Sequence, residues 1–391
     1  MKPLRNLLDS IKPHFEKGGK LEKLYYVYDG FETFLFVPGH ATHGGAHIKD
    51  GIDLKRTMFT VVIALIPCLL FGIWNTGYQH NLAMGLPTDL MNNVLYGAMK
   101  VLPLVIVAYG VGLGIEFLFA SINKHSINEG YLVSGMLIPL CLPVDVPLWM
   151  VAVAVAFAVV IGKEVFGGTG MNVLNVALTA RAFLFFAYPT KMSGNDVWIA
   201  DSPMIKEKVD GFTGATALGD AYAGMPIDQF TAKYSIMDSF LGFIPGSVGE
   251  TSTLACLIGA AILILTGIGS WRIIVATFLG GFAMASLFNM WGVNTLMQVS
   301  AMQHLVIGGF AFGAVFMATD PVTGSQTNTG KWIYGFLIGV FAIIIRIFNP
   351  AYPEGMMLAI LLMNVFAPLI DHYVVEANVS RRLSRLKVKG A

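Results

Sequence analysis

Ten runs of apolar residues, separated by polar segments, dominate the chain between residues 57 and 375. A helix needs about 20 mostly apolar residues, with a range of roughly 17–25, to cross a bilayer. Only 13% of the 391 residues are charged, about half of the roughly 25% found in soluble domains. The sequence therefore predicts an all-α polytopic membrane protein with about ten transmembrane helices, and it excludes a soluble enzyme. The predicted spans lie near 57–75, 99–121, 131–143, 148–164, 172–188, 252–269, 272–291, 304–319, 332–348 and 355–375.

Two of these runs, 131–143 and 304–319, are too short or too rich in glycine for ordinary spans. The flanking lysines and arginines predict the orientation: nine precede residue 57 and five follow Asp371. Both termini are therefore predicted to be cytoplasmic, which requires an even number of crossings, and ten satisfies this. The segment 189–251 holds eight acidic residues against four lysines, and five crossings from a cytoplasmic start place it outside, as an exposed folded loop.

The segment before the first span carries a helical pattern of apolar residues. Leu4, Leu7, Leu8 and Ile11 recur at helical spacing among basic residues, which predicts a short amphipathic helix. It lies either on the membrane surface or a partner, or on the protein's own cytoplasmic face. The first long apolar run begins only near Thr57, so no signal peptide is expected.

Net charge and cysteine usage exclude two further classes. A net charge of +1 argues against a nucleic-acid-binding protein, because such proteins carry a basic surface. Cys68, Cys141 and Cys256 each lie inside an apolar run without CxxC spacing. This argues against a disulfide framework or an iron–sulfur cluster, so any redox centre here is expected to be organic or to be supplied by another protein.

Two segments of the chain resemble each other. LVSGMLIPLCLPVDVP begins at Leu132 and LVIGGFAFGAVFMATDP begins at Leu305. Each is followed by an apolar span and then by a break, VFGGTGMNVLN from Val165 or IFNPAYPEGMM from Ile347. Because five crossings per half is an odd number, the second half is predicted to be inverted relative to the first. Inverted repeats with interrupted helices point to a midplane binding site or ion path, whereas chance likeness between glycine-rich membrane helices is the alternative.

The first break offers hydrogen-bond donors to a ligand. Backbone N–H groups of interrupted helices cannot be satisfied by lipid, and a flavin ring edge presents suitable acceptors. Tight helix packing through small residues explains the glycines equally well. The residues concerned are Gly167, Gly168 and Gly170, with Asn172 and Asn175.

Acidic side chains inside apolar runs mark an ion path or a partner, because they are costly in a bilayer. The candidates are Glu116, Asp320 and Asp371, whose carboxylates suit a small alkali cation. Asp371 alternatively lies at the interface, and Asp320 alternatively caps a helix. Glu116, about four turns into its span, is the hardest to explain in another way.

Basic residues near span ends are expected to snorkel towards the interface. Arg181, Arg272 and Arg346 fit that description, and Lys163 and Glu164 beside the first break are predicted to pair with each other.

The string GHATHGGAH contains His40, His43 and His47. Its spacing matches neither a zinc finger nor a metalloprotease. A glycine-rich loop accounts for these histidines, and no metal site is predicted.

Several long strings resemble one known family. They are KEVFGGTGMNVLN from Lys163, ARAFLFFAYP from Ala180, DGFTGATAL from Asp210, IPGSVGETSTLA from Ile244, GGFAFGAVFMATDPV from Gly308 and NPAYPEGMMLAIL from Asn349. In these strings, and nearly end to end, the chain resembles the B subunits of the bacterial Na⁺-translocating NADH:quinone oxidoreductase. The resemblance implies a fold similar to the urea and ammonium channel-like five-plus-five inverted repeat.

The TGAT string at Thr213–Thr216 carries the most specific implication. In the resembled family this motif bears covalent FMN as a phosphoester on its last threonine, here Thr216, and the small Gly214 and Ala215 give a flavin transferase access. A loop threonine alone more often forms a turn or a helix cap. The motif lies in the segment that charge places outside, as does the family's FMN.

The resemblance further implies non-covalent riboflavin, which we assign to the first break with Asn172 and Asn175 as contacts. It also implies a quinone site towards the cytoplasm, assigned to Gly112 and Leu113, and sodium transfer through the three acidic residues named above. Met171 and Val176 stand where the family has arginine and proline, and Gly112-Leu113 stands where it has two glycines. The last difference bears on the quinone type and inhibitor response rather than on the class.

The expected function is that of an inner-membrane subunit that passes electrons from FMN through riboflavin to quinone, coupled to Na⁺ transport. The chain has no nicotinamide-binding fingerprint, so NADH is expected to react on another subunit, with a further FMN-carrying external subunit between them. The alternatives are the related subunit of the ferredoxin-linked Rnf-type complexes, a solute or ion channel with the same repeat, and a structural scaffold. The predicted divisions are 1–56, 57–188, 189–251, 252–375 and 376–391.

Overall fold

The computed structural model describes residues 2–16, 18–36, 44–45, 53–124, 127, 130–349 and 353–389. Its first part contains α1 (Lys2–Ile11), α2 (Tyr25–Leu35), α3 (Leu54–Ala83), α4 (Leu90–Asn123), α5 (Tyr131–Leu140), α6 (Leu148–Val160) and α7 (Val176–Ala187). The next segment contains α8 (Pro189–Met192), α9 (Ser202–Lys208), α10 (Ala217–Tyr222), α11 (Ile227–Lys233) and α12 (Ile236–Leu241). The last part contains α13 (Thr253–Leu265), α14 (Trp271–Trp291), α15 (Thr295–Gln298), α16 (Ala301–Val306), α17 (Phe310–Phe312), α18 (Asn328–Phe348) and α19 (Met356–Lys389).

Six helices in the described part of the chain are long and apolar enough to cross a membrane. They are α3, α4, α6 with the turn that follows it, α14, α18 and α19, whereas α5, α7 and α13 are shorter apolar helices. The described residues contain helices and loops but no strand. The prediction of an all-α, multi-pass membrane protein is confirmed.

The two runs predicted to be irregular are broken helices. α5 ends at Leu140, directly after Pro139. In the other run, α16 ends at Val306, the chain turns at Gly308 with φ of +66°, and α17 leads into a π-helical turn over Gly313–Met317. Positive φ is readily accessible only to glycine, so the sequence ends the helix there.

Several helix ends differ from the predicted spans. α7, which corresponds to the fifth predicted span, begins at Val176 rather than near residue 172, because the preceding break occupies those residues. Asn175 caps this helix through a hydrogen bond from Leu178 N. The last helix continues to Lys389 through the basic tail, because no glycine or proline interrupts the sequence after Pro368 until Gly390.

The two halves repeat one packing order. α4 packs on α6 and α6 on α7, while α14 packs on α18 and α18 on α19, and α3 meets α13 between the halves. Glycines allow the backbones to approach closely in these pairs. Where α18 meets α14, a Cβ on Gly339 would lie 2.1 Å from the Thr277 carbonyl oxygen. At the further contact between α4 and α3, a Cβ on Gly97 would lie 1.8 Å from the Ile73 carbonyl oxygen. This order supports the predicted repeat.

The segment 189–251 is folded, as predicted, and side chains from α3 and α4 hold it. Lys100 Nζ donates hydrogen bonds to Asp201 Oδ1 at 2.6 Å and to Asp145 Oδ1 at 3.3 Å. His80 Nδ1 lies 2.9 Å from the Ala200 carbonyl oxygen. Desolvation raises the pKa of Asp201, but hydrogen bonds from Lys100 and Tyr96 outweigh it and hold the pKa below its usual value.

The predicted amphipathic helix is present as α1. It binds α2 through an ion pair between Arg5 and Glu32 at 3.0 Å and a hydrogen bond from Tyr28 Oη to the Leu8 carbonyl oxygen at 3.0 Å. Leu4 and Leu7 remain exposed. The helix therefore packs on the neighbouring α2 of the same N-terminal segment, while Leu4 and Leu7 stay available to a bilayer or a partner.

Candidate functional site

An open cavity of about 1070 Å³, here called the outer cavity, lies against the segment 189–251. Trp198, Thr216 and Tyr222 line it from that segment, and Gly309 and Glu354 line it from the second half of the chain. This volume includes the open mouth of the cavity, and the space open to the centres of water molecules is about 270 Å³. The predicted attachment residue therefore faces an open cleft rather than packed protein.

Thr216 immediately precedes α10, and its Oγ1 accepts a hydrogen bond from Gly219 N at 3.1 Å. Gly214 and Ala215 are buried, whereas Thr213 is exposed. Thr216 is thus a helix cap, the alternative considered for it, and also lines a cavity. An ester on Oγ1 would replace its proton but leave the oxygen able to accept this bond.

Tyr234 contacts the TGAT string and the start of α10 through its hydroxyl group. Its hydroxyl donates to Asp220 Oδ2 at 2.7 Å and lies 3.3 Å from the Ala215 carbonyl oxygen. Lys233 Nζ also reaches Asp220, at 2.6 Å. Burial, and then the neighbouring Asp220 carboxylate, raise the pKa of Tyr234 well above its usual value, so the phenol stays protonated and remains a donor.

A buried charge cluster forms one wall of the outer cavity. Arg181 Nη1 donates to Glu250 Oε1 at 2.8 Å, and Arg181 Nη2 pairs with Glu354 Oε2. Glu354 Oε1 accepts from Gly309 N at 3.1 Å. A Cβ on Gly309 would meet Glu354 Oε1 at 2.2 Å, so a side chain at this position would displace the carboxylates of the cluster.

The prediction that the arginines snorkel is wrong for two of the three. Arg181 and Arg346 are fully buried, and Arg346 Nη1 donates to the His304 carbonyl oxygen at 2.6 Å. Carbonyls left open at the helix breaks, together with buried carboxylates, accept hydrogen bonds from these guanidinium groups inside the protein. Arg272 instead lies over the Trp271 ring, 5.1 Å from its centroid.

A second cavity, of about 820 Å³ and here called the inner cavity, lies beside the first break. Lys163, Thr169, Asn172 and Asn175 line it from the break, and Asp320 lines it from the other half of the chain. The structure thus brings together the residues predicted for riboflavin and one of those predicted for sodium.

The glycines of the break adopt backbone conformations that favour glycine. Gly167, Gly168 and Gly170 have φ of +115°, +92° and +91°. The break therefore turns sharply before α7, and this turn brings Asn172 and Asn175 to the inner cavity. Asn172 Nδ2 also donates to the Leu174 carbonyl oxygen at 3.0 Å.

Asp320 is tied to both halves. Its Oδ2 accepts from Asn175 Nδ2 at 3.2 Å and from Thr323 Oγ1 at 3.1 Å, and its Oδ1 accepts from Val322 N at 3.0 Å. The residue therefore caps a turn rather than a helix, the alternative considered for it, and also faces the inner cavity. Its part in an ion path remains a prediction.

Glu116 forms a buried ion pair with Lys163. Lys163 was predicted to pair with its neighbour Glu164, and that prediction is wrong. The chain turns after α6, and this brings the ammonium group to α4 instead. Gly112, predicted for quinone with Leu113, packs so closely that a Cβ would lie 1.9 Å from the ring of Tyr131.

Asp371 has a different environment from the other two acids. It accepts hydrogen bonds from Ser325 Oγ at 2.7 Å, Gln326 N at 2.7 Å and Thr327 N at 3.0 Å. These contacts tie α19 to the loop before α18. His40, His43 and His47, from which no metal site was predicted, lie outside the described residues.

Sequence reasoning assigned no joint role to Arg181, Glu250 and Glu354. Each lies in a string that carried the family resemblance, and each is a charged residue in an otherwise apolar or small-residue stretch. That contrast was the available signal, but it gave no indication that the three residues meet.

Known proteins are similar in sequence to this chain over most of its length. The profile of the NQR2, RnfD, RnfE family matches residues 41–380. The chain belongs to this family.

Full-length relatives share about half of the residues. The Na(+)-translocating NADH-quinone reductase subunits B of Stutzerimonas stutzeri and Ectopseudomonas mendocina are each 51% identical, with 98% of this chain and 99% of the relative covered. That of Chromohalobacter salexigens is 49% identical, with 98% and 96% covered. The family membership predicted from the motifs is confirmed.

Proposed function

We propose that this protein is the electron-carrying membrane subunit of a sodium-pumping NADH:quinone oxidoreductase, with covalent FMN on Thr216. The observation that carries the proposal is the position of Thr216, half-buried on the wall of the outer cavity. The names of the relatives support the quinone reductase and the sodium transport. In this assignment, electrons enter from an external FMN-carrying partner, while NADH reacts on another subunit.

The lining of the outer cavity suits the chemistry of a flavin mononucleotide. Trp198 and Tyr222 offer aromatic faces, and Ser193 and Asn195 offer polar groups. Thr216 would anchor the phosphate at the edge of the cavity. Arg181, which lies behind Glu250 and Glu354, would hold these two carboxylates in place on the wall.

The inner cavity fits a riboflavin ring edge. Asn172, Asn175 and Thr169 provide amide and hydroxyl groups, and Phe316 and Val133 provide apolar contacts. Bound flavins would supply the stepwise electron transfer that amino-acid side chains lack. The break glycines and Asn175 would orient the ring, with Asp320 held beside it.

The two cavities support inward electron transfer. The outer cavity borders the segment 189–251, whereas Thr57 and Gly130 border the inner one, and the charge distribution assigns these regions to opposite faces of the membrane. Quinone would then be reduced towards the cytoplasm, near Gly112 and Leu113. Sodium would follow Glu116, Asp320 and Asp371 across a bacterial inner membrane, with both termini cytoplasmic.

Covalent attachment is tested by expressing the chain with a flavin transferase and illuminating the denaturing gel with ultraviolet light. The wild-type band and a control with Thr231→Ala, an exposed threonine of the same segment outside the motif, are expected to fluoresce, and the Thr216→Ala band is expected to stay dark. A dark wild-type band would overturn the redox-carrier assignment. Fluorescence that persists in Thr216→Ala would move the attachment to another residue.

The same gel separates the rival functions. A solute channel or a scaffold with this repeat predicts no flavin in any variant. The Rnf-type alternative shares the family profile and predicts a fluorescent band, but the full-length relatives at about 50% identity carry the NADH-quinone reductase name. Loss of sodium-dependent quinone reduction on deletion of the chain from its complex would separate the two redox assignments.

A further inference from the structure

A buried ion pair connects the acid predicted for sodium with the cavity predicted for riboflavin. Lys163 Nζ contacts Glu116 Oε1, and both side chains are buried. Lys163 also lines the inner cavity. One ammonium group therefore neutralises a buried carboxylate and borders the inner cavity.

The single negative charge of the Glu116 carboxylate is balanced by one monovalent cation. A buried carboxylate that loses its counter-charge is strongly destabilised. A sodium ion placed beside Glu116 while Lys163 is still there would be repelled by the ammonium group at short range. Because sodium carries the same charge as this ammonium, the two are alternative partners of Glu116.

Lys163 lies after the end of α6, in a stretch of backbone that is not part of a regular α-helix, and this allows its side chain to move. α6 ends at Val160, and the Lys163 carbonyl oxygen already belongs to the break, where it accepts from Phe166 N at 3.2 Å and Gly168 N at 3.1 Å. The lysine side chain is a flexible stem with a compact charge. It can therefore reorient without unwinding a transmembrane helix.

A second carboxylate lines the same cavity. Asp320 accepts hydrogen bonds from Asn175, Val322 and Thr323, all neutral donors. In the described part of the chain, Asp320 forms no ion pair with a lysine or arginine. An ammonium group that leaves Glu116 thus has an acidic position within the same cavity.

We propose that Lys163 is a tethered counter-cation that exchanges between Glu116 and Asp320, and that Na⁺ occupies Glu116 when the lysine is at Asp320. The exchange makes or breaks no covalent bond, because one cation replaces another of equal charge. It deepens the proposed function and rests on it in one respect, namely that these acids belong to the sodium path. Its role is to keep Glu116 neutralised when sodium is absent.

Equilibrium dialysis of the assembled complex against radioactive sodium, at ionic strength held constant with choline chloride, tests the exchange. Lys163→Gln is expected to bind about one more sodium ion per chain than the wild type, and Glu116→Gln in the same chain is expected to abolish the gain. Lys163→Arg retains the tethered charge and is expected to behave as the wild type. Lys206→Gln, which removes a lysine from the exposed pair with Asp196, is the matched control and should bind no extra sodium.

Asp320→Asn tests the second position. It is expected to lower sodium binding by holding the lysine on Glu116, and adding Lys163→Gln is expected to restore binding. Persistent loss in the double variant would make Asp320 itself the sodium ligand and overturn the exchange. So would a folded Lys163→Gln complex that binds no more sodium than the wild type.

The melting temperature tests the exchange even if a variant complex is unstable. If Lys163→Gln is unstable, sodium chloride but not choline chloride is expected to raise its melting temperature, and equal instability in both salts would overturn the proposal. Flavin fluorescence measured on the same samples keeps the two proposals apart. A dark band with the sodium pattern intact would overturn the flavin assignment alone.

Discussion

Arg181 holds together carboxylates that are distant in sequence. Glu250 and Glu354 lie 69 and 173 residues away from it, and all three side chains are buried. Removal of one partner from a buried ion pair costs about 3–5 kcal/mol. We therefore expect Arg181→Met to lower the melting temperature of the assembled complex sharply, because two carboxylates would be left together on the wall of the outer cavity.

A compensating change distinguishes the charge from the packing. Glu250→Gln added to Arg181→Met is expected to recover part of the lost stability, because it removes one of the stranded charges. Arg272→Met, which removes an arginine stacked on an exposed tryptophan, is the matched control and should change stability little. No recovery in the double variant would mean that the side-chain volume of Arg181, rather than its charge, stabilises the wall.

What the sequence could predict differs between the residues of this cluster and those of the breaks. The length and glycine content of the apolar runs located the broken helices, because glycine and proline act locally on the backbone. The prediction that Arg181 and Arg346 snorkel was wrong, because their environment depends on which distant carbonyls and carboxylates the fold brings to them. Lys163 likewise pairs with Glu116, 47 residues away, rather than with its neighbour Glu164.

At the level of the elements, the break between α6 and α7 is defined by glycines. Gly168 has φ of +92°, and a Cβ there would meet nothing closer than 3.8 Å, so substitution costs backbone strain rather than a steric clash. Gly168→Ala is expected to destabilise the fold by roughly 1–2 kcal/mol and to weaken riboflavin retention after purification.

Gly114→Ala provides the comparison for that change. This glycine lies within α4, and a Cβ there has open space, so alanine should be neutral or slightly stabilising. Melting temperatures and released riboflavin would be measured for both variants. If Gly168→Ala matches Gly114→Ala in both quantities, the break does not depend on its left-handed backbone.

At the scale of the whole molecule, corresponding helices pack in corresponding order, and the two interrupted regions meet near the cavities. Asn175 from one break and Asp320 from the other half share a hydrogen bond at the inner cavity, while Gly309 and Glu354 contribute to the outer one. The inner cavity is thus built from both halves, whereas the outer cavity is lined by the segment 189–251 and the second half. Because Arg181 of the first half pairs with Glu250 and Glu354 on the wall of the outer cavity, a relative movement of the halves would alter both cavities, and under the proposed function this would couple electron transfer to ion transfer.

The direction of that transfer depends on the sidedness of the fold, which cysteine labelling in intact cells measures. The three native cysteines are buried, so a membrane-impermeant maleimide should leave the wild type unlabelled. Tyr222→Cys, at an exposed position beside the outer cavity, is expected to be labelled from outside. Arg385→Cys in the exposed tail should react only after permeabilisation. The reverse pattern would invert the membrane orientation and, with it, the inward path from Thr216 to the inner cavity.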